Sequence, residues 1–255
     1  MIKLLAGGGI LTRGKQPPIL DTVACPANLD TIMTLVEIGV DFRDVSDELG
    51  LTAMHSAAKV PNVETLKYLK KMGLDIDAPA VTNKNRPVSD AAEFGHVENI
   101  RWFKRVGAMI TEHNGYGTAL MHVAAENGRL EVMEYLQEIR ESLFFRDGDQ
   151  ATPLHWAALG GQAGIVRYLV EKGLDVNAAA DDGCPPLHYA TWWKRPEVVR
   201  LLRELGADFS LKNKNGATAF IMAKKNPPLK EVVEDLRPPS SQRSIFNSVA
   251  GCADC

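Results

Sequence analysis

A chain of 255 residues with 45% hydrophobic and only 7% aromatic side chains holds enough apolar material for an extensive core, which marks it as a folded protein. Its 29 Lys and Arg against 32 Asp and Glu leave a net charge of −3, without the broad positive field that nucleic-acid binding requires. No apolar run approaches the roughly 20 residues that span a bilayer, and four scattered cysteines make no disulfide framework.

Residues 1–12 form an N-terminal segment. Leu4 to Leu11 follows Lys3 in the manner of a signal peptide, but three glycines interrupt it and no small-residue cleavage pattern precedes Arg13. The expected location is therefore cytoplasmic, with the nucleus as the alternative. Gly9 to Lys15 matches a phosphate-binding loop up to its last position, where Gln16 replaces the Ser or Thr that would hold magnesium. Pro17 and Pro18 then leave little helix to present its amides, so no nucleotide site is expected.

From Leu20 onward a period sets in. Leu20, Met54, Val88, Met121, Leu154, Leu187 and Phe220 recur at intervals of 33 or 34 residues. They divide residues 13–237 into seven units, at 13–46, 47–80, 81–113, 114–146, 147–179, 180–212 and 213–237. The first is degenerate, with Pro17 to Ala24 lacking a histidine although Gly39 and Asp41 fall where Gly73 and Asp75 fall in the second; it is expected to cap the array. The next four read Leu51-Thr-Ala-Met-His-Ser-Ala-Ala58, Arg86-Pro-Val-Ser-Asp-Ala-Ala92, Leu120-Met-His-Val-Ala-Ala125 and Thr152-Pro-Leu-His-Trp-Ala-Ala158. The fourth unit has Arg140 where a glycine is expected, and runs into apolar Leu143, Phe144 and Phe145.

The fifth unit shows the physics of one repeat. Thr152 is placed to cap a helix whose first turn tolerates Pro153, and Gly160 and Gly161 end it. Ile165, Val166, Leu169 and Val170 then recur at helical spacing until Gly173 supplies a stop, giving a helix pair. Small Ala157 and Ala158 let neighbouring first helices approach, while the aliphatic second helices fill the layer behind.

The sixth unit repeats Leu154, His155 and Ala157 as Leu187, His188 and Ala190, then departs at Trp192-Trp193. The seventh, Thr218 to Ala223 followed by Asn226-Pro-Pro228 and a helical stretch near Leu229 to Leu236, is expected to be a second cap. Residues 238–255 begin Pro-Pro-Ser-Ser and are expected to be a flexible tail, unless Ile245, Phe246 and Val249 dock as a short amphipathic segment.

These segments resemble the ankyrin repeat, over about nine tenths of the chain. The resemblance implies an all-α solenoid of about seven stacked helix pairs, with projecting hairpins such as Ala178 to Cys184 that line a concave groove together with the first helices. It also implies recognition of another protein and no catalysis.

The residues themselves argue against catalysis. Cys252 and Cys255 lack two further metal ligands. His55, His122, His155 and His188 fall one per repeat and are expected to bond backbone groups of the adjacent loop rather than form a metal or acid–base cluster. Ser89, Asp90 and His122 are the ingredients of a triad that nothing orders as one. No catalytic residue, cofactor or metal is expected.

Recognition is expected to centre on Trp192 and Trp193, since two adjacent tryptophans cannot both enter one core. They match positions held by Glu93-Phe94, Glu126-Asn127 and Leu159-Gly160, which face the groove in the resembled family. The competing structural reading has one of them packed against Pro196. Trp156, Leu159, Tyr189 and Lys225 are the expected companions, with Asp181 and Asp182 on the hairpin beside them and Lys212 and Lys214 on the next. Tyr116, with Phe144 and Phe145, offers a second patch. The expected partner is a protein segment, bound by a monomer, with a homodimer through the tryptophans as the alternative. A second functional reading makes the chain the targeting module of an enzyme or pathogen effector whose catalytic part lies elsewhere. A third places a small enzyme in the N-terminal segment.

Overall fold

The computed structural model describes residues 29–42, 49–111 and 113–224. Among them are twelve α-helices and no strand: α1 (Leu29–Glu37), α2 (Ala53–Ala58), α3 (Val63–Lys71), α4 (Pro87–Phe94), α5 (Val97–Arg105), α6 (Leu120–Glu126), α7 (Leu130–Glu138), α8 (Pro153–Gly160), α9 (Ala163–Glu171), α10 (Pro186–Trp192), α11 (Pro196–Glu204) and α12 (Ala219–Lys224). The phosphate-loop-like segment, the start of the first unit, the stretch near 229–236, the tail and its two cysteines lie outside the described residues.

Local sequence sets the helix boundaries. Thr152 takes an extended conformation as N-cap, Pro153 opens α8, and Gly161 closes it at φ +81°. After α9 the amide of Gly173 donates to the Val170 carbonyl at 2.9 Å and that of Leu174 to Leu169 at 3.1 Å, with Gly173 at φ +93°. This is a paired left-handed stop. Arg140 adopts the same conformation at φ +72°, with its amide on Gln137 and that of Glu141 on Leu136, both at 2.9 Å. The missing glycine therefore leaves the stop intact, at a strain of about 1 kcal/mol.

The pairs stack in two layers. In the first-helix layer α8 packs between α6 and α10, and Ala57-Ala58, Ala91-Ala92, Ala124-Ala125 and Ala157-Ala158 are fully buried. Behind them the second helices contribute Leu66 and Leu69, Ile100 and Phe103, Met133 and Leu136, Val166 and Leu169, and Val199 and Leu202, three residues apart and fully buried in each case. That spacing places both side chains on one helix face. The expected division of small and large residues between the layers is what the structure has.

Histidine joins three of the first helices, α2, α8 and α10, to the following loop. In α8, His155 Nδ1 accepts the Thr152 amide at 3.0 Å while Nε2 lies 3.2 Å from the Cys184 carbonyl, which fixes the tautomer with the proton on Nε2. His55 does the same with Thr52 and Asn85. His188 Nε2 reaches the Leu211 carbonyl at 3.2 Å, but its buried Nδ1 has no partner. The cause is local: Pro185 holds the N-cap position and has no amide hydrogen to give. His122 inverts the pattern. Its Nδ1 accepts the Ala119 amide at 3.2 Å, whereas its buried Nε2 has no hydrogen-bond partner.

The loops form a ladder of their own. Gly115 donates to Asn83, Gly148 to Tyr116, Asp181 to Asp149 and Lys214 to Asp182, at 2.8–3.0 Å, so each hairpin tip is bonded to the tip before it. Within a hairpin, an Asn or Asp side chain closes the turn: Asp147 Oδ1 accepts the amides of Asp149 and Ala151, and Asn114 Oδ1 those of Tyr116 and Thr118.

Candidate binding face

The C-terminal ends of the first helices form one row across the stack, because side chains of successive repeats hold it in register. His96 Nε2 lies 2.9 Å from the Lys59 carbonyl, Arg129 Nε donates to Glu93 at 2.7 Å, Gln162 Nε2 to Glu126 at 3.0 Å and Arg195 Nε to Leu159 at 2.9 Å. Each bond satisfies a carbonyl left open at a helix end, and does so from the next repeat. Lys59, Glu93, Glu126, Leu159 and Trp192 thereby occupy one row across the stack. Gly160 belongs to this contact as well, since a Cβ there would collide with the Glu126 carbonyl oxygen.

Trp192 ends α10 and Trp193 caps it, with 64% and 50% of their surfaces exposed. Both residues are therefore at the surface, against the reading that leaves only one of them there. Lys194 follows in the left-handed conformation, φ +57°, where Gly95, Gly128 and Gly161 serve the equivalent helices. A lysine thus replaces the glycine directly beside the exposed pair.

The companions divide by role. Trp156 is half-buried, donates its indole N–H to Asp147 Oδ2 at 2.8 Å and lies edge-on to His122 at 6.0 Å. It is held in the stack more than it is offered to a partner. Tyr189 is half-buried and edge-on to His155 at 5.0 Å; burial first, then the charges of Asp182 and Asp147, push its hydroxyl above the usual range. Leu159 is half-buried, one register step from Trp192. Asp181 and Asp182 are exposed on their hairpin, where Asp182 Oδ1 accepts the Cys184 amide at 2.8 Å. Lys212 and Lys214 are exposed on the next. Lys225 lies outside the described residues.

Tyr116 stands exposed on the hairpin between α5 and α6, well along the stack from the tryptophans. Of its expected neighbours, Phe144 is exposed, whereas Phe145 stacks on His113 at 4.2 Å with a 7° interplanar angle and so belongs to the packing. The triad ingredients are committed elsewhere: Asp90 lies 3.7 Å from Lys59 Nζ, and His122 Nδ1 is taken by its own helix cap.

Two residues absent from the sequence-derived set sit on the row itself. Glu93 and Glu126 occupy the register position of Trp192, and burial together with the charge of Glu93 raises the Glu126 carboxyl above the ordinary carboxylate range, against an opposing pull from Arg195. The signal was present in the register alignment, where these positions match the tryptophan pair.

Among the described residues no group of three or more His, Cys, Asp or Glu is placed to hold a metal, and no helix is long and apolar enough to cross a membrane. Residues 121–213 match a family model of ankyrin repeats, in three copies. No curated protein matches the chain.

Proposed function

We propose, from the match of residues 121–213 to ankyrin repeats, which generally serve as protein–protein interaction modules, that the chain binds a segment of another protein along the face that carries Trp192 and Trp193. The supporting observation is the exposure of both indoles at the end of one helix. Large aromatics left open to water are costly unless a partner covers them, and tryptophan is prominent among the residues that dominate binding energy at interfaces. Tyr189, Leu159 and Trp156 border the anchor, and Asp181, Asp182, Lys212 and Lys214 give it a charged rim that favours specificity over affinity. In this reading the chain is an adaptor without catalysis of its own; repeats of this family are typically non-catalytic. Recognition on behalf of a separate catalytic chain is the same surface put to another use.

The test compares affinity capture from cell lysate by the native chain and by a Trp192→Ala/Trp193→Ala double variant, with matched thermal unfolding as the control. Loss of a defined set of proteins from the folded variant is expected. Unchanged capture would move the binding site away from the pair.

A further inference from the structure

The face is not uniform in charge, and its polarity points to the kind of segment it accepts. On the α4 to α8 side of the tryptophans the row offers Glu93 and Glu126, neither of them in an ion pair among the described residues. The arginines beside them spend Nε on backbone carbonyls, Arg129 on Glu93 and Arg195 on Leu159. The hairpins on this side add the exposed carboxylates of Asp149, Asp181 and Asp182, while Arg146 is held by the carbonyls of Gln150 and Ala179. Exposed basic side chains stand beside the tryptophans at Lys194 and past them at Lys212 and Lys214, with Lys84 on the hairpin before α4 as the counterpart at the other end.

Resting on the reading of this face as a protein-binding surface, we propose that its occupant is an extended basic–apolar segment, with an Arg or Lys over Glu93 and Glu126 and a large apolar side chain on Trp192 and Trp193. Like charges held side by side in a half-buried row are relieved by an incoming cation, and a guanidinium forms charge-assisted bonds with such carboxylates. The geometry sets the spacing. Neighbouring helices pack about 8–10 Å apart, so Glu126 and Trp192, two steps apart in the row, are separated by about 18 Å. An extended chain rises about 3.3 Å per residue, which puts the basic and apolar residues about six positions apart.

The probes are fluorescein-labelled peptides of about ten residues, each with paired leucines at one end and, across a Gly-Ser spacer, paired arginines, glutamines or glutamates. Anisotropy titrations use the full chain. The arginine peptide is expected to bind about tenfold or more tighter than the glutamine peptide, with the glutamate peptide weakest. Glu93→Gln/Glu126→Gln removes the difference between the arginine and glutamine peptides, whereas Trp192→Ala/Trp193→Ala weakens all three alike. Equal binding of the three peptides, or an arginine preference that survives Glu93→Gln/Glu126→Gln, overturns the basic-segment proposal; if tryptophan dependence persists, the protein-binding reading stands. Indifference to the tryptophan variant sinks that reading too. Absence of binding by every peptide also overturns the proposal. So does a synthetic peptide of residues 240–249 that outcompetes the arginine peptide, which would give the face to the chain's own tail, or a dimer in sedimentation that the tryptophan variant dissociates, which would give it to a second copy.

Discussion

Gly160→Ala and Gly164→Ala are the same substitution on consecutive helices of one repeat, and the structure gives them opposite signs. In a helix alanine is preferred to glycine by about 0.8–1.0 kcal/mol, because glycine loses more backbone freedom on folding. At Gly164 an added Cβ meets nothing within 4 Å, so the gain is realised, less some loss for its place in the first turn. At Gly160 the added carbon would stand 1.9 Å from the Glu126 carbonyl oxygen and 2.8 Å from its carbonyl carbon. Relief requires α6 and α8 to part by more than about 1 Å, which strains the Gln162 bond to that same oxygen. Overpacking of this kind costs about 1–3 kcal/mol. Net, Gly164→Ala is expected to stabilise by about 0.5–1 kcal/mol and Gly160→Ala to destabilise by about 1–2 kcal/mol. At roughly 2–4 °C per kcal/mol for a chain of this size, Gly164→Ala is expected to melt about 1–4 °C above the native midpoint and Gly160→Ala about 2–8 °C below it. A Gly160→Ala protein that melts at or above the native chain would refute the close approach of α6 and α8.

Arg140→Gly is expected to stabilise by about 1 kcal/mol, since the exposed arginine holds a left-handed conformation that glycine adopts freely; an unchanged or lowered urea midpoint would contradict this. Pro185→Thr or Pro185→Ala restores an amide to the unpartnered Nδ1 of His188, a gain of about 1–3 kcal/mol offset by about 0.4–1 kcal/mol of lost proline stiffening, so either variant is expected to raise the midpoint. Burial lowers the His122 and His155 pKa values to about 4, against 6.5 for a free histidine. Below pH 6.5 the unfolded chain therefore takes up protons that the folded one refuses. Stability is fully present above that pH and falls as pH drops toward 4, by a total on the order of 3 kcal/mol per ring. A denaturant midpoint that stays flat from pH 7 to pH 4.5 would contradict that linkage.

Repetition made much of the fold legible in advance. Alanine pairs, aliphatic positions three apart and a glycine after most second helices specify a helix pair locally, and the period specifies the stacking. The departures were legible only in part. The row glutamates shared a register with Trp192-Trp193, but that they form no ion pair among the described residues depends on where Arg129 and Arg195 point, which no spacing encodes. Trp156 read as a companion of the tryptophan pair from the preceding unit; that its N–H is spent on Asp147 emerges only when the hairpin folds back over the helix. The stop at Arg140 read as irregular because residue type was the sole guide, whereas flanking hydrogen bonds impose the backbone conformation.

The bonds that hold the row in register have a bearing on how such a surface diversifies. Glu93, Glu126 and Leu159 each meet the next repeat's Arg129, Gln162 or Arg195 through a main-chain oxygen. The joint is blind to the side chain, so that position is free to carry a cation, an anion, an aliphatic or an indole. Stability and specificity are thereby assigned to different atoms of the same residue, and the recognition properties of the array can be rewritten one repeat at a time without rebuilding the stack.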